Sequence, residues 1–595
     1  MVSKYSHSRR TPTKPSIRHK IVILGIYFGL FIILSRLFYW QIIQGSDLKS
    51  AALDQYQRTL TQQGQRGKIY TSDDYLLVGN ATKYHLVAYP HLLEKNSQSI
   101  ANTITPLVIN DLESYQEASE EAKREEIKIN LINKISQRLD KKQAKWVSLS
   151  PNLSEETKNS IDLLEIAGLD FESNSVRFYP EASMAAHLTG FIAKDDQGLD
   201  VGYFGVEGAL NKELSGKKRK ITLSTDALGF SLFGQKPPDI TSSQGRDITL
   251  TIRRNIQLMV ETMLQEGMEL YGAKAGEVVV LAPQTGKILA LAAEPKYDQQ
   301  HYHKYDSYLY KNPLLIDLFE PGSILKTLTV AAGIDTQAIT PETECPRCDG
   351  PITIGKYTIR TWNNEYSPQI TMRDALAKSD NTAMIFIAEE MGNEVFREYL
   401  QNFGIGEELD VDLHGDNNTP FPEKWGPVEL ATRSFGQGIT ATSLQMVRAV
   451  ATIANHGRMM QPQIVEKVVD PDGQEIEVKP KEIREVISRN TAEQVTEMMV
   501  HAAKSGEAQW TYSQTHTVAA KTGTSQIPGP GGGYEDDATI ASFIGFAPPQ
   551  DPQFLMLVKL IEPQSSPWAA ETAAPLWYQI AEKLFLSLNI PPDQQ

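Results

Sequence analysis

Three short motifs in the second half of the chain combine residue types that can attack a carbonyl group together. They are S-x-x-K at residues 323–326, S-D-N at residues 379–381, and K-T-G with a further threonine at residues 521–524. A serine hydroxyl is a weak nucleophile near neutral pH and needs an adjacent base. The serine and lysine of the first motif predict such a pair, and therefore an acyl transfer through a covalent serine intermediate.

Ser323 and Lys326 are predicted to lie on one face of a helix. Pro321 and Gly322 end a loop, and the following SILKTLTVAAGI is typical of a helix that Ser323 opens. One helical turn brings positions i and i+3 together, so the lysine amine should lie beside the serine hydroxyl. The amine can act as the base if burial and nearby positive charge lower its pKa. The N-terminus of a helix also favours negative charge that develops there.

The K-T-G motif is predicted to lie at the edge of a sheet, where an extended peptide can add as a further strand. Gly523 leaves room for a close approach, and Lys521 supplies positive charge. Thr522 and Thr524 can hold a substrate carboxylate. The backbone N–H groups of Ser323 and Thr524 are the candidates for an oxyanion hole.

The S-D-N motif is weakly specific when it is taken alone. Ser379 and Asn381 are typical helix-capping residues, and a cap would explain them without any chemistry. S-x-x-K and K-T-G also recur by chance when each is considered singly. The three motifs in this order, each in a fitting helix or strand context, form a far more specific pattern. Together they predict one shared active site.

The elements that must position these motifs come from both ends of the segment after Asp247. A helical pattern is followed by two strands joined by a tight turn, and the chain closes with three strands and a helix. The predicted bounds are helix 254–271, strands 276–283, 287–293, 515–524, 541–548 and 554–563, and helix 575–588. The middle of the segment, residues 320–510, is mainly helical. This order predicts an antiparallel sheet with a helical insertion, and therefore an α+β fold.

A basic tail and an apolar run open the chain. Residues 1–20 contain six Lys and Arg and no Asp or Glu, and residues 21–43 are mostly apolar, with Arg36 towards their outer end. A membrane span needs about 20 such residues, and its basic flank stays in the cytoplasm. The pattern therefore predicts one span with the bulk of the chain exported. The alternatives are a signal peptide, for which RLFYWQII offers no small-residue cleavage site, and a buried core helix.

The region between the span and the motifs changes character several times. A polar helical stalk is predicted over residues 46–65, helices over 109–165, and strands and turns over 176–207. Residues 215–245 are rich in Lys, Ser, Gly and Pro, which indicates a connector. The predicted organisation is a tail (1–20), a span (21–43), a non-catalytic domain (44–245), a catalytic domain (246–590) and a short tail (591–595).

Composition and motif content exclude several functional classes. The net charge is −15, and the folded part has no basic patch with interleaved aromatic residues, which argues against a nucleic-acid partner. No nucleotide motif, metal cluster or second catalytic module is visible, so neither a cofactor nor a metal is predicted. The two cysteines form CPRC at 345–348. This pair predicts a local disulfide or two loop thiols, with half of a metal site or a redox motif as the alternative.

The chain resembles the class B penicillin-binding proteins, which are monofunctional peptidoglycan transpeptidases. FEPGSILK resembles the nucleophile segment of that family, RGKIY and RFYPEASMAAHLTGFI resemble its non-catalytic pedestal domain, and ASFIGFAPPQDPQFLMLVKLIEP resembles the strands after its third motif. The resemblance covers nearly the whole chain from the anchor onward. It implies an elongated α+β pedestal and a transpeptidase domain whose five-stranded antiparallel sheet is flanked by helices, with a helical subdomain.

The resemblance also implies a role for each motif residue. Ser323 would be acylated by the D-Ala-D-Ala end of a peptidoglycan stem peptide, with release of D-Ala, and Lys326 would activate it. Ser379 would relay protons, Asn381 would hold a substrate amide, and Lys521 would complete the polar network. The amino group of a second stem peptide would then attack the acyl-enzyme and form a cross-link. β-Lactams would trap the same serine.

Location and partners follow from the same resemblance. The chain is expected in the bacterial cytoplasmic (inner) membrane with its N-terminus in the cytoplasm and its catalytic domain outside. Its expected partners are stem peptides, β-lactams, a membrane glycosyltransferase of the shape, elongation, division and sporulation family, and other division proteins. KSDNTAMIFIAEEMG and YLQNFGIGEELDVDLHG favour the cell-division (septal) branch, with the elongation branch as the alternative.

Other functions remain alternatives. A β-lactamase or a D,D-carboxypeptidase carries similar motifs, but fast hydrolysis needs a carboxylate that activates water, and no motif of the sequence indicates one. A β-lactam sensor needs a cytoplasmic signalling domain, for which residues 1–20 are too short. A catalytically idle scaffold is expected to have lost Ser323 or Lys326, and both are present.

The chain departs from the family pattern at a few places. Thr71-Ser72-Asp73-Asp74 replaces an acidic-Arg-Asn-Gly string, Arg253 stands where an Asp is common, and CPRC is not an expected feature. Residues 527–537 form a glycine-rich loop after the third motif. This loop is interpreted either as a flexible connection or as a mobile rim of the active site.

Overall fold

The chain forms two compact units. One comprises residues 1–64 and 217–243, and the other comprises residues 65–216 and 244–595. The structure, a computed structural model, describes residues 16–49, 57–196, 198–224, 243–415, 417, 419–422, 424–529 and 533–594.

The first unit contains the predicted apolar helix. Helix Ile17–Phe38 continues as a π-helix over Tyr39–Ile43, which gives 27 residues that are long and apolar enough to cross a membrane. At the rise of an α-helix this is about 40 Å, which exceeds the roughly 30 Å of a bilayer core. Arg36 lies over the ring of Trp40, 5.3 Å from its centroid, near the C-terminal end of the span. The predicted helix is therefore confirmed, and it begins four residues earlier than expected.

The prediction of a helical stalk over residues 46–65 is wrong in its second half. Residues Gln57–Gln63 form strand β1, which pairs antiparallel with strand β8 (Lys218–Ser224). The partner strand comes from the predicted connector, far away in sequence, so no local pattern could indicate the pairing. Residues 225–242 of that connector lie outside the described residues.

A seven-stranded sheet organises the first part of the second unit. Strand β2 pairs in parallel with β9, and the other pairings are antiparallel, in the order β16-β15-β9-β2-β3-β4 with β5 on β3. The strands are β2 (Ile69–Tyr70), β3 (Leu76–Ala88), β4 (Val147–Leu153), β5 (Leu169–Phe178), β9 (Asp247–Leu250), β15 (Val465–Val469) and β16 (Glu475–Glu477). A separate hairpin pairs β6 (Phe191–Lys194) with β7 (Asp200–Tyr203).

Three α-helices, Glu113–Gln116, Glu121–Leu139 and Glu155–Asp162, lie in the region 109–165 where helices were predicted, although strand β4 interrupts them, and four others lie outside it. The helices are Ser97–Val108, Glu113–Gln116, Glu121–Leu139, Glu155–Asp162, Ala186–Thr189, Gly205–Ala209 and Asn211–Leu214. Strands β9, β15 and β16 belong to the predicted catalytic segment but complete this sheet. The boundary at residue 245 therefore stays a prediction.

A five-stranded antiparallel sheet is built from both ends of the second half of the chain, as predicted. Its strand order is β11-β10-β20-β19-β18. The strands are β10 (Ala275–Leu281), β11 (Ile288–Glu294), β18 (Ala519–Pro528), β19 (Tyr534–Ala547) and β20 (Phe554–Ile561). Two small ribbons accompany it, β12 (Ile352–Ile354) with β13 (Tyr357–Ile359), and β14 (Arg458–Met460) with β17 (Glu482–Glu485).

The helices of this part pack on both faces of the sheet because its strands are apolar on both faces. Val278 packs with helices Arg254–Tyr271 and Ala573–Ser587, whereas its neighbour Val279 packs with the helical insertion. Successive side chains of a strand point to opposite faces, so a run of valines serves both layers. The remaining helices are Pro313–Ile316, Lys326–Asp335, Met372–Ala377, Asn381–Met391, Asn393–Asn402, Pro427–Arg433, Ser443–Ala454 and Arg489–Ser505.

A buried ion pair interrupts the apolar core of this sheet. Glu277 and Lys559 are cross-strand neighbours, with 2.7 Å between Oε1 and Nζ and side chains 2% and 1% exposed. The Glu277 carboxylate also accepts a hydrogen bond from Ser443 Oγ at 2.5 Å. The Lys559 ammonium lies 4.4 Å from the centroid of the Phe319 ring. The pair therefore links the sheet to the segment that precedes Ser323.

Removing one partner of this pair should destabilise the fold strongly. We expect Lys559→Met to lower the free energy of unfolding by about 3–5 kcal/mol, because Glu277 is left buried without its counter-charge. The double variant Lys559→Met/Glu277→Gln should recover most of the loss, since the amide oxygen can still accept from Ser443. Urea unfolding of the three proteins measures both effects. Equal stability of the single and double variants would contradict this account.

Candidate active site

Ser323 lies in a 3₁₀ turn rather than at the start of a regular α-helix. The turn Gly322–Leu325 leads directly into helix Lys326–Asp335. Such tight turns are frequent at helix N-termini. Gly322 has φ +54°, and its N–H donates to the Gly436 carbonyl at 3.1 Å, which fixes the entry to the turn. Ser323 remains half-buried, whereas Lys326 is wholly buried.

The Lys326 amine lies at the centre of the first two motifs. Its Nζ donates to the Ser379 carbonyl oxygen at 2.6 Å and to Asn381 Oδ1 at 2.7 Å, and lies 3.1 Å from Ser379 Oγ. Ser379 and Asn381, which lie 53 and 55 positions after Lys326 in sequence, thus both contact its buried amine. The structure therefore brings the S-x-x-K and S-D-N motifs together, as the sequence predicts.

The S-D-N motif caps a helix through its middle residue. Asp380 Oδ1 accepts from the N–H groups of Thr382 and Ala383 at 2.7 and 3.2 Å, at the start of helix Asn381–Met391. A carboxylate at the N-cap satisfies free N–H groups of the first turn. Since Asp380 makes the cap, the side chains of Ser379 and Asn381 are free to face Lys326. Ser379 itself has a left-handed backbone with φ +57°.

The surroundings of Lys326 lower the pKa of its amine to about 7. Burial is the main cause because it disfavours the charged form. The neighbouring ammonium of Lys521 lowers the pKa further, whereas Glu507 and Asp380 oppose the shift. An amine with such a pKa is neutral in a large fraction of molecules near neutral pH, which is the condition for a general base.

The K-T-G motif lies on strand β18, which ends the order of the five-stranded sheet. The turn around Ser323 packs against this strand. A Cβ built on Gly523 would lie 2.7 Å from Ile324 Cγ2 and 2.5 Å from Ser542 Oγ, and one built on Gly322 would lie 3.0 Å from the Thr524 carbonyl oxygen. Gly523 is therefore required by the contact between strand and turn. The turn that carries Ser323 and the strand that carries the third motif are therefore in direct contact, and the region where they meet is the candidate cleft.

Lys521 and Thr522 are held by a carboxylate that no motif indicated. Lys521 Nζ donates to Thr522 Oγ1 at 2.9 Å and to the Thr522 carbonyl oxygen at 3.1 Å. The Thr522 hydroxyl in turn donates to Glu507 Oε2 at 3.0 Å. Burial lowers the pKa of the Lys521 amine, and Glu507 opposes that shift. In this state the Thr522 hydroxyl is engaged within the protein, so Thr524, which is half-buried, is the more accessible of the two threonines.

Hydrogen bonds connect Thr524 and Glu320 to three neighbouring segments, those of Ala569, Gly438 and Tyr534. Thr524 Oγ1 accepts from the Ala569 N–H at 3.2 Å. Glu320, three residues before the serine, accepts from the Gly438 N–H at 2.9 Å and from the Tyr534 hydroxyl at 3.0 Å. Tyr534 begins strand β19 after the glycine-rich loop, of which residues 530–532 lie outside the described residues.

The CPRC segment belongs to a loop that contacts the site. Cys345 and Cys348 form a disulfide, so their sulfur atoms bind each other and are not two free thiols. Further along this loop, the Arg360 carbonyl accepts from Asn381 Nδ2 at 2.8 Å. That contact fixes the amide so that its Oδ1 is directed to Lys326.

Sequence reasoning missed Glu507, Glu320 and the Arg360 carbonyl. Glu507 follows helix Arg489–Ser505 without a recognisable motif, and only its contact with Thr522 shows its relevance. Glu320 directly precedes Pro321-Gly322-Ser323, which could have drawn attention to it as a neighbour of the proposed nucleophile. A backbone carbonyl such as that of Arg360 carries no sequence signal at all.

Comparison with protein families gives two matches on this chain. Residues 276–582 match the penicillin binding protein transpeptidase domain, and residues 61–250 match the penicillin-binding protein dimerisation domain. The first match contains all three motifs and the five-stranded sheet. The second covers the seven-stranded sheet apart from β15 and β16.

Individual proteins are similar over most of their length. Stage V sporulation protein D of Bacillus subtilis is 27% identical over 582 residues, covering 96% of this chain and 86% of that protein. The peptidoglycan D,D-transpeptidase FtsI of Buchnera aphidicola is 26% identical over 584 residues, covering 97% and 96%. The crystal structure of penicillin binding protein 2X from Streptococcus thermophilus has a TM-score of 0.74 at 23% identity, covering 89% of this chain and 80% of that one. At 23% identity, the similarity to penicillin binding protein 2X shows only that the two chains share a fold.

Proposed function

This chain belongs to the class B penicillin-binding proteins, and we propose that it is a membrane-anchored serine D,D-transpeptidase that cross-links peptidoglycan stem peptides through an acyl-enzyme on Ser323. The observation that carries the proposal is the Lys326 amine, buried among Ser379 and Asn381 with a pKa of about 7. A buried lysine with no such role is normally charged and ion-paired, because an isolated buried ammonium is costly.

Acylation begins with the Ser323 hydroxyl, which attacks the carbonyl between the two terminal D-Ala residues of a stem peptide. Lys326 accepts the hydroxyl proton as the Oγ–carbon bond forms. The N–H groups of Ser323 and Thr524 donate to the oxyanion of the tetrahedral intermediate. The turn around Ser323 packs on the strand that carries Thr524, so both donors belong to one rigid contact. The proton then passes through Ser379 to the leaving amine, and D-Ala departs.

The second half of the reaction transfers the acyl group to an amine. The amino group of a second stem peptide attacks the ester on Ser323, loses a proton to the neutral Lys326, and forms the cross-linking amide while the Oγ recovers its proton. Asn381 holds an amide of the bound peptide with its donor and acceptor groups. The ammonium of Lys521 and the hydroxyl of Thr524 attract the terminal carboxylate of the donor peptide, with Thr522 and Gly523 shaping this part of the cleft.

A covalent adduct with penicillin tests the proposal directly. β-Lactams present a strained amide to the same serine, so a stable ester should form. Intact mass spectrometry after exposure to benzylpenicillin should show one added penicillin, and peptide mapping should place it on the peptide that contains Ser323. An adduct on another peptide, or none, would refute the assignment of the nucleophile. Rapid release of hydrolysed penicillin would instead favour a β-lactamase or a carboxypeptidase.

The orientation in the membrane and the role in division are part of the proposal. The basic tail at residues 1–20 supports a cytoplasmic N-terminus, and the resemblance of KSDNTAMIFIAEEMG and YLQNFGIGEELDVDLHG to the cell-division branch supports a septal function. Alkaline phosphatase fused after the last residue should be active, since it folds only outside the cytoplasm. A fluorescent fusion should concentrate at the division site together with a septal glycosyltransferase. Uniform lateral labelling would favour the elongation branch.

Glu507 should set the pH at which the enzyme becomes active. We expect Glu507→Gln to move the midpoint of the acylation pH profile to lower pH, because its carboxylate raises the pKa of both Lys326 and Lys521. The glutamine can still accept from Thr522, so the hydrogen bond at 3.0 Å has a substitute. The measurement is the second-order rate of labelling by a fluorescent penicillin on both sides of neutral pH.

Glu497→Gln is the matched control for this experiment. Glu497 is exposed on helix Arg489–Ser505, so its loss removes the same charge away from the cleft. Its pH profile should follow that of the wild type. A Glu507→Gln profile that is unshifted, or shifted to higher pH, would show that the carboxylate does not act on the lysine pair.

A further inference from the structure

Two exposed tryptophans from distant parts of the chain face each other. The rings of Trp362 and Trp568 meet edge to face, with 5.3 Å between their centroids and an interplanar angle of 60°. The two residues are 46% and 41% exposed, although tryptophan is highly buried on average. The pair therefore adds little to the hydrophobic core, and its role depends on what lies next to it.

The segment that carries Trp362 is attached to the second motif. The Arg360 carbonyl accepts from Asn381 Nδ2 at 2.8 Å, and the two residues of chain from there to Trp362 span at most about 7 Å. A tight turn holds this segment, because the Thr361 hydroxyl donates to the Glu365 carbonyl at 2.9 Å. Trp362 therefore lies in a fixed turn beside Asn381.

The segment that carries Trp568 is attached to the third motif. The N–H of the next residue, Ala569, donates to Thr524 Oγ1 at 3.2 Å. The Trp568 carbonyl accepts from the Thr572 hydroxyl at 2.8 Å, directly before helix Ala573–Ser587. Ala569 and Thr572 are fully buried, so this segment is fixed as well. Trp568 therefore lies beside Thr524.

These contacts complete a circuit around the candidate cleft. Asn381 Oδ1 accepts from the Lys326 amine at 2.7 Å, the turn that leads into the Lys326 helix packs on strand β18, and this strand carries Thr524. The tryptophan pair closes the remaining side. Of these links it is the one made by two exposed side chains, and an aromatic pair favours contact over separation by only about two- to tenfold. The circuit therefore opens most easily at the tryptophan pair.

We propose that Trp362 and Trp568 form a gate across the cleft, which must part before an acyl donor reaches Ser323. The inference rests on the proposed function, in which Asn381 holds an amide of the donor peptide and Thr524 attracts its carboxylate. The two rings join the segments attached to those same residues, so an extended peptide held between them has to pass the ring contact. Exposed side chains change rotamer rapidly, and the gate can therefore open without movement of the hydrogen-bonded backbone.

Removing one ring should speed acylation. We expect Trp362→Ala to raise the second-order rate of acylation by a fluorescent penicillin about two- to tenfold, the factor by which the aromatic contact holds the gate shut. Trp146→Ala is the matched control, since Trp146 is also 41% exposed and meets the ring of His85 within residues 61–250, which contain none of the three motifs. Its rate should equal that of the wild type. An unchanged or slower rate for Trp362→Ala would overturn the gate.

Closing the gate covalently should block the reaction. The double variant Trp362→Cys/Trp568→Cys can be bridged by a short bis-methanethiosulfonate, which forms a disulfide with each thiol and is released by a mild thiol reductant. We expect acylation of the bridged protein to be at least about tenfold slower than after release, because the open state is removed. The single variants, treated alike, should show no such loss. The native Cys345 and Cys348 are buried and bonded to each other, so they do not compete for the reagent. Equal rates before and after release would overturn the proposal.

A third measurement separates the gate from the proposed function. In a Ser323→Cys background, alkylation of the introduced thiol by a biotin maleimide reports access to the cleft without any acyl transfer. It should be about two- to tenfold faster when Trp362→Ala is added. If penicillin forms no adduct on Ser323 but alkylation is accelerated, the proposed function fails and the gate stands. If the adduct forms and neither Trp362→Ala nor the bridge changes the rates, the gate fails and the transpeptidase proposal stands.

Discussion

Replacing Ser323 by alanine is expected to abolish covalent labelling by penicillin and to lower peptide cross-linking by at least about 10⁴-fold, as loss of a catalytic nucleophile does in serine hydrolases. Ser379 is only 2% exposed, whereas Ser323 is half-buried and therefore more accessible to a substrate. Ser379 has its oxygen directed to the Lys326 amine, and its backbone is held in a left-handed conformation. The measurement is gel labelling with a fluorescent penicillin, followed by turnover of a D-Ala-D-Ala peptide.

The fold should survive the change at Ser323. This side chain is half-buried and its turn carries no side-chain cap, so the unfolding transition of Ser323→Ala should coincide with that of the wild type. Ser307→Ala, at an exposed serine away from the cleft, is the matched control and should label normally. Undiminished labelling of Ser323→Ala would disprove the proposed nucleophile, because a folded protein would then be acylated elsewhere.

The catalytic sheet was predictable because each of its strands has its own local signal. The apolar runs around Val279 and Leu557 are too short for helices and are bounded by turns, and a tight turn joins the first two strands. Their assembly from two ends of the segment follows from the rule that apolar faces must be covered by another layer. Placing Lys521 on an edge strand beside Ser323 then required only the strand order.

The part of the seven-stranded sheet around β2 and β9 could not be predicted because its pairings are short and distant in sequence. Ile69 pairs with Ile248, and Val468 also pairs with Ile248 from the other side. A two-residue strand such as β2 has no measurable periodicity, so only the folded chain reveals it. The same reason explains why the sequence predicts a helical stalk where strand β1 forms: its partner β8 lies in a region without a strand pattern.

The motifs predict which residues form the candidate site, but they do not predict its electrostatics. Side chains three positions apart on a helical turn meet by geometry, which places Lys326 near Ser323 from sequence alone. The depth of burial, which lowers the lysine pKa, depends on packing from several elements and is visible only in the structure. Glu507 reaches Thr522 from beyond the end of a helix, a contact that no spacing rule describes.

Replacing Lys326 is the second change with a very large expected effect. We expect Lys326→Met to slow acylation by about 10²–10⁴-fold, the usual contribution of a general base. The methionine fills similar space, but the Ser379 carbonyl and Asn381 Oδ1 lose the donor that they share at 2.6 and 2.7 Å. The loss of those hydrogen bonds lowers the stability of the fold. The effect is offset in part because a buried ammonium no longer needs to be accommodated. Stopped-flow acylation measures the rate, and urea unfolding measures the stability.

The pH dependence separates a base from a fixed charge. With a pKa of about 7, Lys326 is mostly protonated below neutral pH and mostly neutral above it. If the neutral amine accepts the serine proton, the wild-type rate should rise with pH through about 7 and then level off. The acylation rate of Lys326→Met should be slow and should not rise with pH near 7.

Lys326→Arg decides between the two roles because a guanidinium keeps its charge at every pH at which the protein is folded. A base requires a neutral nitrogen, so the arginine variant should be as slow as the methionine variant and should show no rise near neutral pH. If Lys326→Arg retained most of the acylation rate, Lys326 would act only as a positive charge that holds Ser379 and Asn381. The proton of Ser323 would then need another acceptor, and the mechanism proposed for this cleft would have to be abandoned.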